Sequence, residues 1–337
     1  MQTFLASTYH RFKPFQRRGS GLALIALTLA AAANMPVAAQ QAYPTKPVRL
    51  IVNFQAGGPT DILARLVADS LQKELKQPFV VDNKTGAGGN VGADFVAKSQ
   101  PDGYNVLFSI DTTFTTNPAL YPSMPFKADD LKPLMIMTTS GLLFGANAGL
   151  GIKSVPEFVA KGKAGNMNFS SAGNGSPGHI TMALLAEAAG IKATHIPYKG
   201  AAPAVQAIVS GEVDAGILVT PGLMPQVQGG RVTALAVTGQ KRSPLLPQVP
   251  TVGELGLKSM EFEVLQVAMV PAATPDAVVQ LLQAGIVRAM QQPEVKARLT
   301  AMDMTVLAET GKTAEARLAA NRARYAKVIQ ATGMKAE

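Results

Sequence analysis

Two connections in this sequence bring together residue types that suit the capture of an anion. The first is Phe54-Gln55-Ala56-Gly57-Gly58-Pro59-Thr60-Asp61, and the second runs from Ser170 through Ser171-Ala172-Gly173-Asn174-Gly175-Ser176-Pro177-Gly178 to His179. In each, an apolar run enters a glycine-rich turn and a proline then opens a helical pattern, as a first-turn proline should. Glycine lets the backbone approach a guest closely. A helix start offers unpaired N–H groups and the positive end of the helix dipole, which together attract anions. Neither loop contains Lys or Arg. One such loop alone reads best as an ordinary tight turn. Two of them, one in each half of the chain, point instead to a cleft with a receiving loop on either side.

Enzyme chemistry finds less support. Gly86-Ala87-Gly88-Gly89-Asn90-Val91 resembles a dinucleotide fingerprint, but the third glycine should fall at position 91, which is Val91. Ser176 is not a nucleophile elbow, because Asn174 stands where that motif needs glycine. Beyond the first forty residues the histidines are His179 and His195. His179 sits one turn after Ser176 with no acid evident to orient it, so it reads as a hydrogen-bonding group at a helix start. No His, Asp or Glu cluster has metal-ligand spacing. The reading is therefore no catalytic residue, no metal and no cofactor. Asp61, in a first helical turn, is first of all a favourable partner for the helix dipole.

The N-terminus has the grammar of an export leader. Arg11, Lys13, Arg17 and Arg18 precede an apolar run from Gly21 to Ala33, and small residues close it at Val37-Ala38-Ala39. The run is too short to span a bilayer, which takes roughly 20 apolar residues, so cleavage before Gln40 is preferred over an uncleaved anchor. The expected mature chain, residues 40–337, is then a soluble periplasmic protein. It is long enough for two lobes with real cores. With no cysteine, disulfides, thiolate metal sites and lipid attachment at cysteine are excluded. The formal net charge of +9 falls to +5 without the four basic residues of the leader. That balance suits an anionic ligand, and scattered charges without interleaved aromatics exclude nucleic acid as a partner.

Short β-branched runs alternate with helical ones along the rest of the chain. Strands are expected at 48–54, 79–82, 104–109, 167–171, 193–197, 213–219 and 232–237. Helices are expected at 59–76, 89–98, 178–189, 201–209 and 222–228, with a capping box at Ser154-Val155-Pro156-Glu157. The stretch from Ser243 to Pro250 reads as a loop and 275–330 as mainly helical. Such alternation predicts an α/β fold with mostly parallel strands.

The ordered motifs resemble the Bug family, the extracytoplasmic receptors of tripartite tricarboxylate transporters. They are Tyr43-Pro44-x-Lys46-Pro47-Val48-Arg49, Gly57-Gly58-x-x-Asp61-x-x-Ala64-Arg65, Gly86-Ala87-Gly88-Gly89, Pro101-Asp102-Gly103-Tyr104 and Asn117-Pro118-Ala119-Leu120-Tyr121. The second glycine-rich loop, His195-Ile196-Pro197-Tyr198-Lys199-Gly200, Leu235-Ala236-Val237-Thr238 and Val249-Pro250-Thr251 complete the series. The resemblance runs from about Tyr43 to the C-terminus. It implies a two-lobed periplasmic binding protein that closes on a small carboxylate, holds it largely by backbone N–H groups and water, and delivers it to integral-membrane permease subunits. It implies ligand contacts from Ala56, Gly57 and Gly58, from Asp61 to an ammonium or a bound water, from Thr112 and Thr113, and from Ser171 through Ser176 with His179. Phe54, Leu218, Thr220, Leu265 and Gln266 would line the cleft.

The sequence also departs from that family. Gln55-Ala56 replaces a usual Pro-Pro, Leu218 stands where an Asp is common, and Leu265 stands where a Trp is frequent. The missing acid at 218 favours a less cationic or more anionic ligand, such as a di- or tricarboxylate or an aromatic acid. Lobe two is expected at 143–263 and lobe one at 40–142 with 264–337, as a monomer hinged near Ser140–Leu143 and Phe262–Gln266. A receptor serving a membrane sensor kinase would share this fold and cleft, and a periplasmic α/β enzyme is the third reading.

Overall fold

The computed structural model describes His10 and residues 43–335; the leader read over residues 1–39 otherwise lies outside the described residues. Val48–Val52 (β1) buries Val48, Leu50, Ile51 and Val52, and so both of its faces, as suits a central parallel strand, while Arg49 stays partly exposed beside Asp82. It leads through the turn at Gly57 and Gly58 into Pro59–Leu75 (α1), whose Leu63, Val67 and Leu71 face the core. The helix stops at Lys76, which takes up a left-handed conformation (φ 56°). Phe79–Asn83 (β2), Asn90–Ala97 (α2) and Asn105–Ile110 (β3) follow, with β2 and β3 parallel to β1 on either side. Thr112–Thr115 (α3) and Asn117–Leu120 (α4) are single turns leading towards the long strand Leu131–Ser140 (β4).

After Gly141 the chain enters a second sheet. This comprises Leu142–Asn147 (β5), Met167–Ser171 (β6), Ala193–Pro197 (β7), Ala215–Val219 (β8) and Val232–Val237 (β9), in the order β7-β6-β8-β5-β9. Its helices are Val155–Ala164 (α5), Pro177–Ala189 (α6), Ala201–Ser210 (α7) and Thr220–Gln228 (α8). At α5 the Ser154 hydroxyl accepts from the Glu157 amide, but the Glu157 carboxylate reaches back to the Lys153 amide rather than to Ser154.

The chain returns through Val264–Pro271 (β10), buried along its whole length. Asp276–Gln291 (α9), Pro293–Ala301 (α10), Thr305–Thr310 (β11) and Gly311–Thr332 (α11) complete it. The first sheet has the order β11-β4-β10-β3-β1-β2.

One expectation is corrected, and another, that 275–330 is mainly helical, holds with an addition. The sheets are mixed rather than mostly parallel: β10 runs antiparallel to β3 and β4, β11 to β4, and β5 to β8 and β9. The strands that carry the chain between the sheets lack intervening helices, so they enter against their neighbours' direction. The region 275–330 also contains strand β11, a bulged edge strand with Ala308 at φ 54°.

The two crossings are knitted at Thr238. Its hydroxyl accepts from the Leu142 amide at 2.8 Å and donates to the Phe262 carbonyl at 2.7 Å. Gly141 packs so closely on Gly239 that an added Cβ would meet its amide nitrogen at 2.8 Å. Tyr325, Val328 and Ile329 of α11 pack against the core of the second sheet beside Leu185 and Phe262.

Candidate functional site

A cavity of about 430 Å³ opens between the two sheets, within the size range of small-molecule sites. Helix starts surround it. Gly58 and Pro59 begin α1, Ser176 and Pro177 begin α6, Thr220 and Pro221 begin α8, and Ala201 begins α7. The local sequence explains this convergence: in α1, α6 and α8 a proline occupies the first or second helical position, ending the preceding strand or turn and pre-setting the helix. Most of the wall is apolar, with Phe54, Ile62, Ile110, Leu142, Ile217 and Val264 among its members. Among the described residues lining it, Asp303 is the one charged side chain. Lys199 and Arg231 are exposed and form no part of the wall.

Two hydroxyls at these helix starts have no hydrogen-bond partner in good geometry, Ser176 Oγ and Thr220 Oγ1, and Thr220 is buried. Gln266 faces the same space with its Oε1 accepting from Thr60 Oγ1 at 2.9 Å. Its amide hydrogens are a further source of donors. The cavity thus presents dipole ends and neutral donors in apolar surroundings, where each is stronger than in water.

Of the residues singled out from sequence, Phe54, Gly57, Gly58, Ala172, Ser176, Leu218, Thr220 and Gln266 line this cavity. The others do not line it. Ala56 is exposed on the loop beside Gly57. Thr112 is buried, and the Thr113 hydroxyl is tied into a network with Asn53, Ser109 and the Gly88 carbonyl. Gly173 and Asn174 lie outside the wall, and Gly175 abuts Leu120 so closely that a Cβ would approach its side chain to 2.3 Å. Leu265 points away, into the core with Phe114 and Leu318, because its neighbour Gln266 takes the cavity side of the strand. Met302, Asp303 and Met304 complete the wall and were not identified from sequence.

Asp61 is an anchor for the first loop rather than a free contact. Its carboxylate accepts from Arg65 Nε and NH2 at 2.9 and 3.0 Å, from the Gly57 amide at 2.9 Å and from Asn83 Nδ2 at 3.0 Å. Burial pushes its pKa up, but the hydrogen bonds from Arg65, Gly57 and Asn83, with the Arg65 charge, outweigh this and hold it below the usual value. A depressed carboxylate pKa contributes stability at neutral pH that is lost as pH falls through the carboxylate range. Asp61→Asn is expected to cost about 1–3 kcal/mol at pH 7 and to flatten the acid limb of stability below about pH 4. Urea melts of both proteins across that range measure it.

His179 and Ser171 brace the second loop from behind. The Gly175 amide donates to His179 Nδ1 at 3.2 Å, which places the proton of the neutral ring on Nε2. Ser171 Oγ lies 2.6 Å from His195 Nε2, and the two imidazoles stack at 3.6 Å. This pair lines a separate cavity with Phe169 and Met182. Burial lowers both imidazole pKa values to about 4, with His195 further opposing charge on His179. The unfolded chain therefore binds protons first, and stability should fall as pH drops from about 6.5 to about 4. His195→Gln should reduce that slope in denaturant melts at pH 7.5, 6 and 5; an unchanged slope would remove the pair as its source.

Among the described residues, no group of three His, Cys, Asp or Glu side chains could hold a metal ion, and no helix is long and apolar enough to cross a membrane. The family model described as "Tripartite tricarboxylate transporter family receptor" matches residues 63–334. The chain belongs to this family. It is 34% identical over 318 residues to Protein BugT of Bordetella pertussis, covering 93% of this chain and 98% of BugT. Among solved structures, "R. palustris Rpa4515 with adipate" superposes with a TM-score of 0.78 at 28% identity, covering 88% of this chain and 100% of that one. "MatC (Rpa3494) from Rhodopseudomonas palustris with bound malate" superposes with a TM-score of 0.72 at 29% identity, covering 85% and 100%. The family is one of periplasmic solute-binding receptors rather than enzymes, and the two-sheet α/β architecture is that of its structural relatives.

Proposed function

We propose that this receptor is exported by cleavage near Gln40, captures a small carboxylate between two lobes and delivers it to the permease of a tripartite tricarboxylate-type transporter. The observation that carries the reading is the cavity itself, ringed by the starts of α1, α6, α7 and α8 and free of Lys and Arg among its described lining residues. Helix termini and neutral donors favour an anion without leaving an unpaired cation in an empty cleft. The adipate and malate held by the two structural relatives are carboxylates of the size such a cavity takes. Residues 40–142 with 264–337 form one lobe and 143–263 the other, hinged where β4 passes into β5 and where the chain returns to β10.

Calorimetry of the mature chain against succinate, citrate, aspartate, malate, adipate, nicotinate and terephthalate tests the reading, with X-ray scattering on each complex. Binding of at least one acid with a fall in radius of gyration is expected. Binding of none, or chemical conversion of the acid, would sink it.

A further inference from the structure

The polar groups on this cavity wall are not all of one kind. Helix starts and neutral donors suit an anion, but Asp303 brings an acid to the same wall. It lies in the turn between α10 and β11, is 6% exposed, and adopts φ 58°, a left-handed conformation uncommon for a residue with a Cβ. Its Oδ1 accepts from Ser243 Oγ at 2.6 Å. Ser243 belongs to the proline-rich loop after β9, so the contact joins a segment following the second sheet to a turn of the first. Burial pushes the carboxyl pKa up, and the hydroxyls of Ser243 and Thr220 oppose this. Asp303 takes part in no salt bridge among the described residues.

A carboxylate has about four acceptor sites. Ser243 fills one, and the flanking Met302 and Met304 supply no strong donor. A buried acid without a cation is costly to keep. The left-handed backbone is the C-terminal close of α10, where the Met304 amide donates to the Leu299 carbonyl at 2.9 Å; the under-satisfied carboxylate is the feature that points to a guest. Asp303 also lines a second cavity, with Lys241, Arg242 and Arg317, but it forms no ion pair with them, and a guest of the first cavity that carries a donor would complete its set.

We propose that Asp303 and the neighbouring Thr220 hydroxyl form a second pole of the cavity, which selects carboxylates bearing a hydroxyl or ammonium donor at their far end and disfavours a second carboxylate there. This rests on the carboxylate reading above and adds to it a class of ligand. It also revises the expectation drawn from Leu218: the cavity does have an acid, supplied by the turn after α10 instead of by β8.

Four six-carbon acids of matched length separate the alternatives: hexanoate, 6-hydroxyhexanoate, 6-aminohexanoate and adipate. Each is titrated by calorimetry into the wild type and into Asp303→Asn at one pH. Asn tolerates the left-handed backbone and can still accept from Ser243, so the variant should keep its fold. The wild type is expected to bind 6-aminohexanoate and 6-hydroxyhexanoate about tenfold or more tighter than adipate. Asp303→Asn should remove the advantage of the amine and raise adipate affinity, leaving hexanoate within about twofold. If hexanoate binds but adipate equals or exceeds the donor-bearing acids in the wild type, or if the variant leaves the ratios unchanged, the second pole is wrong while the carboxylate reading stands. Failure of all four acids to bind the wild type overturns both.

Discussion

Gly58→Val should abolish carboxylate binding while leaving the fold intact. Gly58 is the residue from which α1 departs, with an extended backbone (φ −76°, ψ 168°) that valine can adopt. An added Cβ would lie 3.2 Å from the Gln55 carbonyl, tight but relieved by a small shift. The branched side chain would then occupy the approach to the first-turn amides of α1. Losing two charge-assisted hydrogen bonds, each worth about 1.5–3 kcal/mol, lowers affinity at least roughly a hundredfold. Lys199→Gln and Arg231→Gln are the informative controls, since both side chains are exposed away from the cavity wall. Each should bind within about twofold of wild type, as surface changes remote from a site usually do. Circular dichroism separates loss of binding from loss of structure. Normal binding by the valine variant together with failure of Lys199→Gln would replace backbone capture with a lysine-centred mechanism.

The largest expected effect on stability is at Gly178. This glycine stands in the first turn of α6, and a Cβ built there would fall 1.9 Å from the Ile217 carbonyl of β8. Both partners are backbone, so no side chain can swing aside. Gly178→Ala must push the helix start away from the sheet, at a cost of about 3 kcal/mol or more. The thermal midpoint should then fall by roughly 5–10 °C. The displacement would also carry the α6 terminus back from the cavity, so binding should weaken in whatever fraction remains folded. Gly165→Ala is the matched control: its Cβ would meet nothing within 4 Å at an extended φ of −161°. It should change stability by less than about 0.5 kcal/mol. Equal melting points for the two variants would mean that the close approach at Gly178 relaxes without cost.

These two glycines mark where sequence reasoning succeeds and where it stops. Local chemistry specified both loops and the helices after them. Pro59 and Pro177 can begin a helix but not continue one, and glycine-rich turns in front of them admit few other conformations. The strands Met167–Ser171, Ala193–Pro197 and Val232–Val237 were legible because each is short, bounded by turn residues and carries alternating apolar or β-branched positions, Met167 and Phe169 in the first, Thr194 and Ile196 in the second. Tertiary structure alone decided which side each residue shows. Leu265 and Gln266 are neighbours on β10, and the pairing of β10 with β3 and β4 determines which one meets the cavity. His179 lies one turn beyond Ser176 and reads from sequence as a hydrogen-bonding group at a helix start, a role it fills towards the Gly175 amide, but its stacking on His195 is tertiary, since Phe169 and His195 come together only when β6 pairs with β7. Asp61 reads in a first turn as a partner for the helix dipole, and its role as an anchor appears only where Arg65, Asn83 and the Gly57 amide converge on it. Asp303 sits in no motif and on no amphipathic face. It reaches the wall of a cavity lined by residues more than a hundred positions earlier because the chain returns across the gap between its two sheets, and no local pattern encodes a contact of that range.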